Sequence, residues 1–343
     1  MIAAIVLAAG VSFAGTQPQL AGSSSQVYLA FGSGDVVSVA RSTDGGVTFA
    51  DPVALPAAGR LALGRHRGPR IAVSREAVLV ATIAGAKGGG ADGDVRLSRS
   101  LDGGRTWSPP VVINDVPGAA REGLHALAAN DAGTVVVAWL DLREKGTRVY
   151  AATSRDHGAT WSPDVLVYAS PSGSICECCH PSVAIDVGGR IAVQFRNHVD
   201  GARDMYVVRS RDGRTFTPAV KQGTGSWPLE ACPMDGGAVA IDGDAMHTVW
   251  RREQTIYASR TADVAGSVAE TPLGDGRDPA AAASGGLLDV AWTDTAGVVQ
   301  LRQHGRAPRA LGPGGFASLI ARPDRTIVAV EHQGRVSVRV EPR

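Results

Sequence analysis

Ser42-Thr43-Asp44-Gly45-Gly46-Val47-Thr48-Phe49 returns three times along this chain. It reappears as Ser100-Leu101-Asp102-Gly103-Gly104-Arg105-Thr106-Trp107 and as Ser154-Arg155-Asp156-His157-Gly158-Ala159-Thr160-Trp161. The last copy, Ser210-Arg211-Asp212-Gly213-Arg214-Thr215-Phe216, is one residue shorter. The aspartates lie 58, 54 and 56 residues apart. A period of that length, filled with strand-like sequence, is the mark of a repeat fold. The pattern itself has the chemistry of a tight turn. Ser and Asp oxygens accept hydrogen bonds from nearby backbone, glycines take positive φ, and the aromatic packs beneath.

Between the copies the order is constant: apolar strand, turn, apolar strand, loop, strand, the Asp-containing turn, strand. First strands are expected at 18–22, 68–74, 124–130, 180–186, 236–242, 278–284 and 316–322. The later units are shorter and have lost the Asp-containing turn. Short apolar runs punctuated by Gly and Asp imply strands, and four-stranded units in series imply a β-propeller. The fold class is therefore all-β, with seven blades favoured and six the alternative. The last unit shows no fourth strand of its own, and the N-terminal segment is available to supply one.

The four copies resemble the Asp-box, or bacterial neuraminidase repeat, of the sialidase superfamily. That resemblance speaks to fold more than to activity, because one fold carries many functions. The string Cys176-Glu-Cys178-Cys179-His180-Pro181 and the string Ala231-Cys232-Pro-Met234-Asp235 resemble those of sialidase-like bacterial proteins without an assigned role.

The chain has 343 residues, 44% of them hydrophobic, and a net charge of +1, which gives no electrostatic reason to expect a nucleic-acid partner. No apolar run reaches the length of a membrane span. Residues 1–14, MIAAIVLAAGVSFA, read as a short secretory signal ending Ser12-Phe13-Ala14, although no Lys or Arg precedes Arg41. Residues 15–343 then form a single propeller, exported to the periplasm or beyond and expected as a monomer.

Propeller geometry sorts the polar residues by face. The link entering each inner strand and the loop joining second to third strands surround one channel mouth; the Asp-boxes lie at the opposite end. The incoming links carry Arg65, His66, Arg70, Glu122, His125, the Cys176–His180 string, Glu230, Cys232, Met234, Asp235, Arg277 and Asp278. The second-to-third loops carry Asp141, Arg143, Arg196, His198, Arg251, Arg252, Asp294 and His332. Five of the eight histidines and all four cysteines thus fall on one face. Loops of a rigid scaffold are where functional groups collect.

Two chemistries follow. The sialidase resemblance implies three arginines on a substrate carboxylate, with Arg70, Arg196 and Arg251 (or Arg252) as counterparts, and Asp92 or Asp94 as acid/base. Its tyrosine nucleophile has no counterpart: the tyrosines are Tyr28, Tyr150, Tyr168, Tyr206 and Tyr257, none in the last two blades. The second chemistry is that of sulfur. Val183-Ala-Ile-Asp186 aligned with Val239-Ala-Ile-Asp242 places Cys232 opposite residue 176 in the adjacent blade. His66, His125, Cys176, Cys178, Cys179, His180, Cys232 and Met234 then form a candidate site for copper or zinc. Export makes disulfides an open alternative, one through Cys232 and one within the Cys176–Cys179 string. In the mixed case His66, His125 and His180 bind the metal alone.

The sequence therefore points to an exported Asp-box propeller with a metal- or redox-active site at its mouth. A sialidase-like glycosidase acting on a glycan and a protein-interaction platform are the alternatives.

Overall fold

A computed structural model describes residues 11–23, 25–262 and 269–343. The described residues form seven antiparallel sheets and no helix. Each sheet is one blade. The inner strands of blades 1 to 7 are Thr16–Gly22, Arg70–Val73, His125–Ala129, Ser182–Ile185, Ala238–Asp242, Arg277–Ser284 and Gly315–Ala321. Each lies against the next, and the seventh against the first, so the ring is closed. Seven blades, the favoured count, is the count observed.

The second strand of a blade is its most apolar element because it is covered on both sides. Val78–Gly85 and Val135–Asp141 are buried at every position. Leu79, Leu97, Val137 and Trp139 fill the space between blades 2 and 3. Val136, Leu140, Ile191 and Phe195 do so between blades 3 and 4. Burying each such side chain contributes about 1.5–3 kcal/mol. A strand buried on both faces reads as a continuous apolar run rather than an alternating one.

The four Asp-boxes are near-copies in three dimensions. In the second, Ser100 Oγ donates to Asp102 Oδ1 at 2.8 Å while accepting from Gly104 N at 2.8 Å. The backbone of Arg105 and Thr106 donates to Asp102 Oδ1 at 3.0 and 2.9 Å. Asp44, Asp156 and Asp212 repeat this pattern, and each carboxyl is held down to about 2, mainly by its Thr neighbour at Thr48, Thr160 and Thr215 respectively. Each box also packs on the preceding blade. A Cβ at Gly158 would sit 2.2 Å from Leu79 of blade 2, and one at Gly213 2.3 Å from Thr153 of blade 3. The glycines are therefore required by contact as well as by φ.

Blade 7 takes its fourth strand from the other end of the chain. Val11–Ala14 pairs antiparallel with Arg335–Val338, and Phe13 stacks on Phe31 of blade 1 at 5.6 Å. This stretch is the end of the segment expected to be a secretory signal; its first ten residues lie outside the described ones. A cut after Ala14 would remove this strand.

Candidate functional site

One link reaches over the channel mouth. Gly64 and Arg67 exchange backbone hydrogen bonds of 2.8 Å, closing a two-residue turn whose tip is Arg65-His66. This turn belongs to blade 2, yet its side chains meet blades 4, 6 and 7. His66 Nε2 lies 2.8 Å from Asp278 Oδ1, and Arg65 donates to the same oxygen at 2.6 Å. The His66 ring stacks on His180 with centroids 4.3 Å apart and meets Phe316 edge-on at 5.2 Å. Asp278 N donates to Asp235 Oδ2 at 3.0 Å, and Arg251 Nε lies 3.3 Å from that carboxylate. Burial pushes the Asp278 carboxyl up, but His66, Arg65 and Arg277 hold it below the usual range. His180 is driven well below the usual histidine value by burial, then by the charges of His66, Arg70 and Arg196. His66, His180, Asp278 and Phe316 line a cavity of about 230 Å³ that continues down the axis between all seven inner strands.

The backbone here is unusual. Gln17, His66, Met234, Asp278 and Phe316 all have left-handed φ of 50–56°. None is a glycine, so each conformation costs on the order of 1 kcal/mol or more. Gln17, Asp278 and Phe316 hold the same bulge at the start of the inner strands of blades 1, 6 and 7, whereas His66 and Met234 are particular to their own links.

Beside the mouth lies the sulfur cluster. Cys176 Sγ is 3.1 Å from Cys179 Sγ and 3.7 Å from Cys178 Sγ, and all three sulfurs lie within 4.8 Å of one another. Cys176 and Cys179 are fully buried, and Cys178 is half-exposed. Arg203 donates to Cys176 Sγ at 3.2 Å, and Asp235 N approaches Cys179 Sγ at 3.4 Å. The thiols of Cys178 and Cys179 hold the Cys176 thiol well below its ordinary value, helped by Arg196 and Arg203. Burial pushes Cys179 up to about 12. The cluster can hold a metal ion.

Several expected partners are elsewhere. All four cysteines are free thiols, so neither expected disulfide is formed. Cys232 is exposed and stands outside the three-sulfur group. Met234 is half-buried, and its carbonyl accepts from Arg65 Nε at 3.2 Å. His125 does not face the mouth: it is fully buried, its Nε2 is 3.1 Å from Ala81 O, and burial lowers it to about 3. His66, His125 and His180 form no metal-ligand group among the described residues.

The arginines suggested by the sialidase resemblance are engaged with the backbone. Arg70 donates to His125 O, Pro69 O and His66 O at 3.1, 3.3 and 2.7 Å. Arg196, 1% exposed, donates to Asp235 O, Arg203 O and Arg251 O at 3.0, 2.7 and 3.0 Å. Arg251 donates to Pro233 O at 3.2 Å, and Arg252 is paired with Glu270 at 2.7 Å. Asp92 accepts from Ala86, Lys87 and Gly88 backbone and so ties its own loop. Asp94 accepts from Asn114 and Gly118. Asp278, Arg65, Phe316 and Arg203 were not singled out by sequence. Register alone placed the first two on the mouth face; the left-handed φ that aims Asp278 and Phe316 has no sequence signature in a non-glycine residue.

The site thus sits on the mouth of a seven-bladed Asp-box propeller. Residues 64–231 match the sequence model of the BNR repeat-like domain, and the four Asp-boxes are similar to those of sialidase-like propellers. No curated protein matches it. Among solved structures it resembles an α-L-arabinanase of Penicillium chrysogenum complexed with arabinobiose, at 16% identity over 80% of this chain and 92% of the other, with a TM-score of 0.56. It is also similar to an ulvan lyase bound to a -[GlcA(1-4)Rha3S]- saccharide, at 11% identity over 96% and 94%, TM-score 0.59. A Trypanosoma rangeli sialidase mutant displaying trans-sialidase activity aligns at 11% identity over 80% of this chain and 53% of that one, TM-score 0.52. Likenesses this distant establish the fold alone.

Proposed function

We propose that the protein is an exported metal-binding propeller, in which Cys176, Cys178 and Cys179 hold one thiophilic metal ion, copper or zinc, at the rim of the channel mouth. The observation that carries this reading is the convergence of three sulfurs within 4.8 Å of one another, with a guanidinium 3.2 Å from one of them. Thiolate is the ligand form, so metal uptake releases protons and strengthens as pH rises. Cys176 and Cys179 are also the pair that would oxidise, at 3.1 Å apart, so the site must be tested reduced.

Sialidase-type hydrolysis is not what this geometry favours. Arg70 and Arg196 already donate to three carbonyls each and have little left for a substrate carboxylate.

The test is elemental analysis with a thiol count on protein purified under reducing conditions. One metal ion per chain is expected. Cys178→Ser, at the half-exposed sulfur, should abolish stoichiometric retention while leaving the melting temperature of the metal-free protein unchanged. Reduced wild-type protein that retains no metal after exposure to copper and zinc rules the reading out.

A further inference from the structure

Resting on the thiol site just proposed, we infer that it is built for a monovalent ion in three-coordination, Cu(I), with Arg203 as the positioning residue that compensates the charge of the complex.

Coordination number is the first argument. The three sulfurs are joined by no fourth thiol, imidazole or carboxylate within 4.8 Å among the described residues. A structural zinc site closes with four protein ligands in a tetrahedron. Three sulfurs at the corners of a small triangle suit a soft d10 ion that accepts a trigonal plane. Neither His66 nor His180 supplies the fourth position: His66 is committed to Asp278, and no imidazole nitrogen joins the group of sulfurs within 4.8 Å among the described residues.

Charge is the second. Three thiolates around Cu(I) carry two negative charges; around Zn(II) they carry one. Two guanidiniums stand beside the cluster, and both are immobilised. Arg203 is anchored by Nε to Leu229 O at 3.1 Å and touches Cys176 Sγ through Nη1. Arg196 is anchored by three carbonyls, one of them that of Arg203 itself at 2.7 Å. The carboxylates nearby are turned elsewhere. Asp235 faces Arg251 and the Asp278 amide, and Glu177 accepts from Ser174 at 3.1 Å. Two fixed positive charges thus match a dianionic complex in a site whose inner sulfurs are 0% and 1% exposed, where uncompensated charge is expensive. In binding, each thiol that ligates gives its proton to solvent, and no electron is transferred.

The experiment uses the full chain, reduced and anaerobic. Cu(I) is titrated in competition with bicinchoninate, Zn(II) in competition with a chromophoric chelator, and the Cu(I) complex is read by X-ray absorption. One Cu(I) per chain with three sulfur neighbours is expected. Arg203→Gln should weaken Cu(I) binding by about tenfold or more, Arg203→Lys should restore part of the loss, and the free-thiol count should not change in either. A first shell of two sulfurs, a fourth nitrogen or oxygen ligand, or equal Cu(I) affinity in wild type and Arg203→Gln overturns the inference. Should Arg203→Gln misfold, Arg203→Met takes its place: a Cu(I) affinity about tenfold or more below wild type supports the charge argument and one equal to wild type refutes it. Stoichiometric Zn(II) binding with no trigonal Cu(I) defeats this inference alone, whereas absence of any metal defeats the thiol site as well.

Discussion

The two ends of the propeller are held by different kinds of bond. At the Asp-box end, four turns repeat one solution: a Ser and an Asp satisfy the backbone of their own loop, and a glycine lets the turn lie on the preceding blade. Each unit is complete within a few residues. At the mouth the backbone bulge of Gln17, Asp278 and Phe316 repeats, but the side-chain contacts do not. Asp278 of blade 6 is bound by Arg65 and His66 from the link of blade 2, and Asp235 of blade 5 receives the amide of Asp278. Locally satisfied turns can be copied from blade to blade. Groups that satisfy one another across the axis cannot, and they are where a specific function has room to arise.

That contrast makes graded predictions. The largest effect belongs to the mouth. Asp278→Asn removes the one carboxylate shared by His66 and Arg65 and leaves both without their counter-charge; it should cost about 3 kcal/mol in urea unfolding. A loss below about 0.5 kcal/mol would show that the cross-mouth network is ornamental. Next is Gly158→Ala, which keeps every side-chain hydrogen bond of the third Asp-box but drives a methyl to 2.2 Å from Leu79 at φ +82°. About 2 kcal/mol is expected, with metal retention unaltered. If metal retention falls with it, the two ends are coupled and the contrast fails.

The smallest effect is a titration. The carboxyls of Asp44, Asp156 and Asp212 are held down to about 2, against about 3.9 in an unfolded chain, and that of Asp102 is lowered by the same hydrogen bonds. A lowered folded-state value gives stability that is complete above the unfolded value and is lost as pH falls through the folded one. The melting temperature should therefore decline between about pH 4 and pH 2, and Asp102→Ala should shallow that decline. An unchanged slope in Asp102→Ala would remove this box from the account.

How much of this was legible beforehand follows the same division. The Asp-boxes and inner strands were readable because each depends on residues adjacent in sequence: the expected strand at 278–284 is Arg277–Ser284, and that at 316–322 is Gly315–Ala321. The convergence of Cys176, Cys178 and Cys179 was readable too, since one short link carries all three. Register placed Cys232 and His125 on the same face, and there it stopped. Facing the same mouth does not fix a side chain's direction: His125 turns into the seam against Ala81 O, and Cys232 turns to solvent. The arginines deceived for a related reason. A buried Arg beside a strand end looks like a ligand for an anion, but free carbonyls at the ends of neighbouring strands were nearer and claimed it.

The strand Val11–Ala14 has a consequence in time. Its partners, Arg335–Val338, lie more than 300 residues away along the chain. Blade 7 is complete only once these two stretches have met. A contact between such remote residues is slow to form, because the whole intervening loop must first be gathered. Until then the chain has an open seam. Cleavage of the expected signal after Ala14 would take this strand away, and the closure of the exported ring would then rest on Thr16–Gly22 against Gly315–Ala321.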